Sequence, residues 1–350
     1  WTQWKVESME SPDHEKGNPD TVADEIGAQG GIEALPKRID RYAKAKKTAL
    51  DLANSIVDHA ESNPGGKADA LLKRADRLAT CGDYLVFAHY YTRDEVRLHG
   101  ARLCMQHLLS PLCAIRRGAK ALKSYLDRWE CIKAEKPLLR PFMVTLTVKD
   151  GPDLEERFKH LQKSQHELWH RKRRGRGSSL DGVAGAVWSY EFKRGKNSGL
   201  WHPHLHMIAL AENMPDAKEL AGEWRNITGD SFIVDVRPIS DEDPVSGFVE
   251  VFKYAVKFSD QPREDTIHAF EVLKGKRLLA SAGCFRGVPE PTSLGDDTDD
   301  LEGLPYVRLF YRYLSAGGYS LENNPARSYA AQPHDKRLSR RRDPAKHHLG

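Results

Sequence analysis

Along Gly199–Leu210, GLWHPHLHMIAL, apolar and polar positions alternate with the two-residue period of a strand. Trp201, Pro203, Leu205, Met207 and Ala209 point one way, while His202, His204 and His206 point the other, followed by Ile208 and Leu210. Upstream, FMVTLTV (142–148) has the β-branched, apolar character of a short buried strand, and GAVWSYEFK (185–193) predicts a second. The turn-rich RGKNSG (194–199) between that strand and the histidines predicts an antiparallel hairpin. FIVDVRPI (232–239) predicts a further strand, and helical spacing runs over 153–174, 216–229 and 246–258. The order β-α-β-β-α-β-α specifies an α+β domain around a mainly antiparallel sheet.

The chain before this domain has a different texture. Residues 1–30 are polar and expected to be disordered. Helical patterns follow over 32–60 and 65–82, and 98–130 predicts a Cys-bearing turn leading into a basic helix. KPLLRP (136–141) marks a boundary. The expected organisation is a disordered segment (1–30), a helical Cys-containing region (31–135), the α+β domain (136–290), an acidic linker with an aromatic and basic element (291–325), and a basic disordered tail (326–350). The element YVRLFYRYL (306–314) interleaves Arg308 and Arg312 with Tyr306, Phe310, Tyr311 and Tyr313. It is read as a buried amphipathic piece or as a surface that stacks on unpaired bases.

Charge narrows the partners. Of 350 residues, 54 are Lys or Arg and 50 are Asp or Glu, a net charge of +4. The segment 326–350 holds seven Lys or Arg against two Asp, so it carries the whole positive excess. A second basic run, HRKRRGRG (170–177), contains Arg171, Lys172, Arg173 and Arg174 at the end of a helical pattern. Two Arg-dense runs point to a polyanion, and nucleic acid is the expected partner. No apolar run is long enough to span a membrane, and the opening residues hold no apolar signal segment, so a cytoplasmic protein is expected. Five cysteines in a chain of this size do not describe a secreted disulfide framework.

Two constellations carry chemistry. An imidazole pair on one strand face can hold a divalent cation, and such a site usually adds an oxygen ligand. With the link centred near Asn197, Glu191 falls roughly opposite Pro203, between His202 and His204. Its neighbours Trp188, Tyr190 and Phe192 make a bulky core-like set, which assigns Glu191 to the histidine face. The second constellation is FVEVFKYAVK (248–257). Val245, Phe248, Val249, Phe252 and Val256 form an apolar stripe, and Glu250, Tyr254 and Lys257 lie within about 60° of one another on the opposite side. An ordinary surface helix has that pattern too. Read chemically, Tyr254 is a nucleophile, Lys257 its phosphate or tyrosinate partner, and Glu250 a proton acceptor, residue types suited to phosphoryl transfer.

FMVTLTV, WHPHLH and EVFKYAVK, in that order, resemble the three motifs of HUH endonucleases. More narrowly they resemble rolling-circle plasmid replication initiators with a single tyrosine and a glutamate four residues before it. The flanking WRNITGDSFIVDVRPI and LKGKRLLASAGCFRG extend the resemblance over roughly 80–290. The resemblance implies a palm-like domain with a central, mainly antiparallel five-stranded sheet flanked by helices. His204 and His206 would be the paired ligands of Mg²⁺ or Mn²⁺, with Glu191 as the third, and His202 would contact DNA phosphate. Tyr254 would nick one strand of single-stranded or hairpin origin DNA, leaving a 5′-phosphotyrosine and a 3′-OH primer. Glu250 would activate water for the terminating hydrolysis. A single-strand transposase, a relaxase, or a non-catalytic single-stranded DNA-binding protein are the competing readings. No GxxxxGK[ST] run is present, so unwinding is assigned to a host helicase and extension to a host DNA polymerase. Members of this family often carry a Cys-x5-Cys-Pro-x-Cys run. Here CMQHLLSPLCAIRR has Ser110 at the middle position, and Cys81, Cys104, His107 and Cys113 are the candidate ligands of a structural Zn²⁺, against the alternative of buried free cysteines.

Overall fold

Alternating burial along the strands and amphipathic helices between them produce two antiparallel sheets, of five and four strands. The computed structural model describes residues 20–27, 30–175, 177–253, 261–315 and 317–322. The elements are α1 (Asp20–Gly27), α2 (Leu35–Ser62), α3 (Ala68–Ala79), β1 (Tyr84–Tyr90), β2 (Glu95–Ala101), α4 (Pro111–Glu135), β3 (Arg140–Thr147), α5 (Leu154–Arg173), β4 (Val183–Arg194), β5 (Trp201–Ala211), α6 (Ala217–Thr228), β6 (Val234–Pro238), α7 (Pro244–Phe252), α8 (Arg263–Leu273), β7 (Leu279–Gly283), β8 (Val307–Leu314) and β9 (Gly318–Leu321). The described residues divide into two compact units, one of residues 121–289 with 20–24, the other of residues 25–120 with 290–322. The division falls within α4.

The first unit holds the five-stranded sheet, in the order β6-β3-β5-β4-β7, all antiparallel. One face is apolar and aromatic, and α5 supplies its cover. Phe158 meets Tyr190 and Phe192 edge-on, with ring centroids 5.5 and 5.4 Å away, while Trp169 stacks on Trp188 at 5.7 Å. Each such ring buries about 150–250 Å², an upper estimate of about 4–6 kcal/mol of transfer free energy. Asp153 starts α5 by accepting a hydrogen bond from the Glu156 N–H, and Asp216 caps α6 in the same way. The α6 residue Trp224 is fully buried and donates from Nε1 to the Thr147 carbonyl at 2.6 Å, which fixes the end of β3. The opposite face carries the histidines.

The second unit holds the helical region expected before residue 135 and adds a sheet to it. Its four-stranded sheet has the order β2-β1-β8-β9, so the hairpin β1–β2 pairs with a strand more than two hundred residues later. Leu85, Phe87, Val96 and Leu98 are buried on one side of that hairpin. Within the stretch read as an acidic linker and an aromatic and basic element, residues 307–314 and 318–321 form β8 and β9, with Tyr84 and Phe310 stacked at 5.8 Å. Part of the segment expected to lack structure is helical: α1 contributes Glu25, which is buried against Arg38, Arg41 and Arg116. That ionic tie and the buried Val22 hold the short helix. Residues 1–19 and the basic tail 326–350 lie outside the described residues. Among the described residues no helix is long and apolar enough to cross a membrane.

Candidate metal and nucleic-acid site

The site is built on three adjacent strands. In the β4–β5 pair Glu191 lies directly opposite His204, and Ser189 opposite His206. In the β3–β5 pair Thr147 is opposite His204, and Thr145 opposite His206. The register differs by one residue from the sequence expectation, which set Glu191 against Pro203; Phe192 takes that place. The link therefore has six residues, 195–200, and Gly199 within it adopts φ 63°, a left-handed conformation that glycine enters without strain. Directly opposed residues share a face, so this register sets Glu191 on the histidine side.

Glu191, His204 and His206 each offer a ligand atom, and these atoms lie within 4.8 Å of one another. Glu191 Oε2 is 2.7 Å from His204 Nε2 and 3.4 Å from His206 Nε2. Glu191 and His204 are buried, whereas His206 retains partial exposure, so the cluster is reached from one side. Thr145 Oγ1 lies 3.1 Å from His206 Nδ1. Accepting the Nδ1–H there leaves the Nε2 lone pair facing the carboxylate, the tautomer a metal ligand needs. Two imidazoles with one carboxylate is a mixed N/O donor set, and it fits a divalent cation.

His202 stands apart from the three. Its Nδ1 lies 2.6 Å from Asp150 Oδ1, and Ser198 donates to the other Asp150 oxygen. Burial would raise the Asp150 carboxyl, but the bonds from Ser198 and His202 outweigh it and hold the group below the usual carboxylate range. A bridge of two backbone bonds between Gly151 and Trp201, 3.0 and 2.9 Å, brings Asp150 to the start of β5. Thr145 and Asp150 were not singled out in the sequence. The signal lay in FMVTLTVKD, whose partner strand had to be known before either residue could be placed beside a histidine.

The helix α7 packs against β4 and β5, the strands that carry the cluster. Phe248, Val249, Val251 and Phe252 are buried, so more than one stripe of this helix is covered. Phe252 meets Tyr125 at 5.2 Å and Phe248 meets Phe285 at 6.2 Å. Glu250 accepts a hydrogen bond from Lys253, one turn on. Tyr254 and Lys257 lie outside the described residues.

The basic run occupies the last turn of α5, where cations suit the helix dipole. Arg171 pairs with Glu167 at 3.1 Å, Lys172 lies over Trp169 at 5.9 Å, and Arg173 and Arg174 are exposed. Because α5 covers the aromatic face, these cations belong to the side of the sheet opposite the histidine cluster.

In the second unit Cys81, Cys104 and Cys113 converge, all three buried, with their sulfurs within 4.8 Å of one another. His107 is not one of that set; burial, followed by the nearby Arg117, pushes its imidazole down to about 4. Hydrogen bonds from Cys113 and Cys81 hold the Cys104 thiol well below its usual range, while the other two are raised.

A family model described as Replication protein (Rep_1) matches residues 95–305, more than half of the chain. The protein belongs to this replication protein family. Two relatives named "Protein rep" agree with that assignment. One, from Bacillus sp, is 23% identical over 263 residues, covering 65% of this chain and 83% of the relative. The other, from Bacillus amyloliquefaciens, is 23% identical over 260 residues, covering 64% and 74%. No solved structure gives a significant match. The family agrees with the plasmid replication initiators that the sequence motifs resembled.

Proposed function

We propose that this protein is a plasmid replication initiator that nicks one strand of origin DNA through Tyr254 in a metal-dependent, HUH-type reaction. The observation that carries the reading is the pairing of Glu191 with His204, which gathers a carboxylate and two imidazoles on the sheet of a replication protein. Glu191, His204 and His206 would hold Mg²⁺ or Mn²⁺, and the two nitrogen donors favour Mn²⁺. When bound, such a cation supplies Lewis-acid polarisation of the scissile phosphate.

The chain's own groups do the rest. Thr145 keeps His206 in its ligating tautomer, and Asp150 orients His202 toward a phosphate oxygen. The Tyr254 oxygen attacks phosphorus as its proton passes to a base, the bond to the 3′ oxygen breaks, and that oxygen takes a proton to become a 3′-OH. The tyrosine is left esterified to the 5′ phosphate, and Lys257 balances the charge that develops. Glu250 later draws a proton from water, which displaces the tyrosine and ends the cycle. The freed 3′-OH suits extension by a host polymerase, with a host helicase opening the duplex.

Incubating the full chain with a labelled single-stranded or hairpin origin oligonucleotide and Mn²⁺ should give a covalent adduct that maps to Tyr254 by mass spectrometry. Tyr254→Phe should abolish it. An adduct that persists in Tyr254→Phe overturns the nucleophile, and binding without any cleavage overturns the enzymatic reading in favour of a single-strand-binding role.

A further inference from the structure

Two loops and the start of a helix meet at the cysteines. Cys81 follows α3, Cys104 follows β2, and Cys113 lies in the first turn of α4. Their sulfurs are spaced as ligands rather than as a disulfide: Cys81 to Cys113 is 3.6 Å and Cys104 to Cys113 is 3.8 Å. A tetrahedral Zn²⁺ with bonds of about 2.3 Å to sulfur sets its thiolates about 3.8 Å apart. The fourth corner is not empty protein. The Ser110 hydroxyl, fully buried, is 3.3 Å from Cys81 Sγ and also bonds the Cys104 thiol. Backbone amides are turned toward the sulfurs as well. The Cys104 N–H reaches Cys81 Sγ at 3.4 Å, and the Gln106 N–H reaches Cys104. Between them Met105 is held at φ 61°, a left-handed conformation that a non-glycine residue adopts only under local constraint. Thiolates with amide donors aimed at them form a soft, preorganised anionic pocket, the environment Zn²⁺ selects over harder cations.

We propose that Cys81, Cys104 and Cys113 bind a structural Zn²⁺ whose fourth position faces Ser110, not His107. Metal binding displaces the thiol protons to solvent, and no redox step is involved. Ser110 has a second task, since its oxygen accepts from the Cys113 N–H at 3.3 Å ahead of Pro111 and so caps α4. The ion would thus tie the start of α4 to the α3–β1 turn and the exit of β2.

The test uses the full chain purified under reducing, chelator-free conditions. Elemental analysis should find about one zinc per chain, with all five cysteines as thiols by intact mass after unfolding in chelator. Replacement by Co²⁺ should give the thiolate-to-metal charge-transfer absorption of a tetrahedral site. Cys113→Ser should lose the zinc, and His107→Ala should keep it. Ser110→Cys should retain the ion and release it to a competing chelator at least about tenfold more slowly, since a fourth thiolate completes the commonest structural set. That variant keeps the proposal testable if Cys113→Ser does not fold. His206→Ala should leave the zinc in place, which separates this ion from any metal held by the histidine cluster. A disulfide in the purified chain, substoichiometric zinc in the folded protein, or zinc lost in His107→Ala but unaffected by Ser110→Cys would overturn the assignment.

Discussion

Glu25 and Asp296 in the second unit lie between guanidinium groups: Arg38 reaches both carboxylates at 2.7 and 2.9 Å, Arg116 reaches both as well, and Arg41 adds a bond to Glu25 at 2.6 Å. Tyr42 donates to Glu25 from within the same cluster. Glu191 in the first unit is buried to a similar degree, yet it faces two imidazoles rather than guanidinium groups. The first arrangement closes its charges on themselves and resists change. The second sets two imidazoles and a carboxylate side by side, along a side that remains open at His206. Burial of polar groups therefore marks stability in one unit and, on the function proposed above, chemistry in the other, and what distinguishes them is whether the opposing groups are guanidinium cations.

The comparison can be broken from either end. The largest effect is expected at the histidine cluster: His206→Ala should reduce Mn²⁺-dependent cleavage by more than about 100-fold, beyond what loss of an outer-shell partner gives, with little change in the unfolding midpoint. Cleavage assays beside a thermal melt check both halves of that statement. Asp296→Ala should do the reverse. Removing one partner from a buried ion cluster costs about 3–5 kcal/mol, read as a fall in urea midpoint at unchanged slope. Burial opposes ionisation of Asp296, but Arg116 and Arg38 hold its carboxyl well below the usual range. Its stabilising contribution is then complete above the unfolded carboxyl value of about 4, and is lost as pH falls through the folded one. The stability gap between wild type and Asp296→Ala should accordingly narrow toward acid pH. The smallest effect sharpens rather than breaks the contrast. Thr145→Val keeps the shape but removes the acceptor for His206 Nδ1, and should raise the Mn²⁺ needed for half-maximal cleavage by about 10- to 100-fold without affecting the fold.

What could be read from the chain beforehand follows the range of the interactions. The hairpin of β4 and β5, the helices α5 and α6, and the facing of Glu191 with the histidines arise from short-range contacts, and alternation, helical spacing and turn residues revealed them. The second sheet did not show itself, because Val86 pairs with Phe310 and neither flanking sequence hints at the other. Asp296 was legible only as part of an acidic run, since its burial depends on Arg38 and Arg116. Cys81 and Cys104 were identified as candidates by residue type, whereas Ser110 at the fourth corner needed the two loops and the helix start to be assembled first.

The six-residue link between β4 and β5 has a consequence for how such a protein can diverge. Residues can be gained or lost in 195–200 without moving Glu191 away from His204, provided Arg194 still opposes Trp201. The backbone bridge from Gly151 and the Arg194 guanidinium, 4.0 Å over the Trp201 ring, hold that last pair. The tip of the hairpin is therefore free to vary, and with it whatever the tip touches, while the facing of Glu191 with His204 is kept. A slip of one residue at Trp201 would carry all three histidines to the aromatic side in a single event.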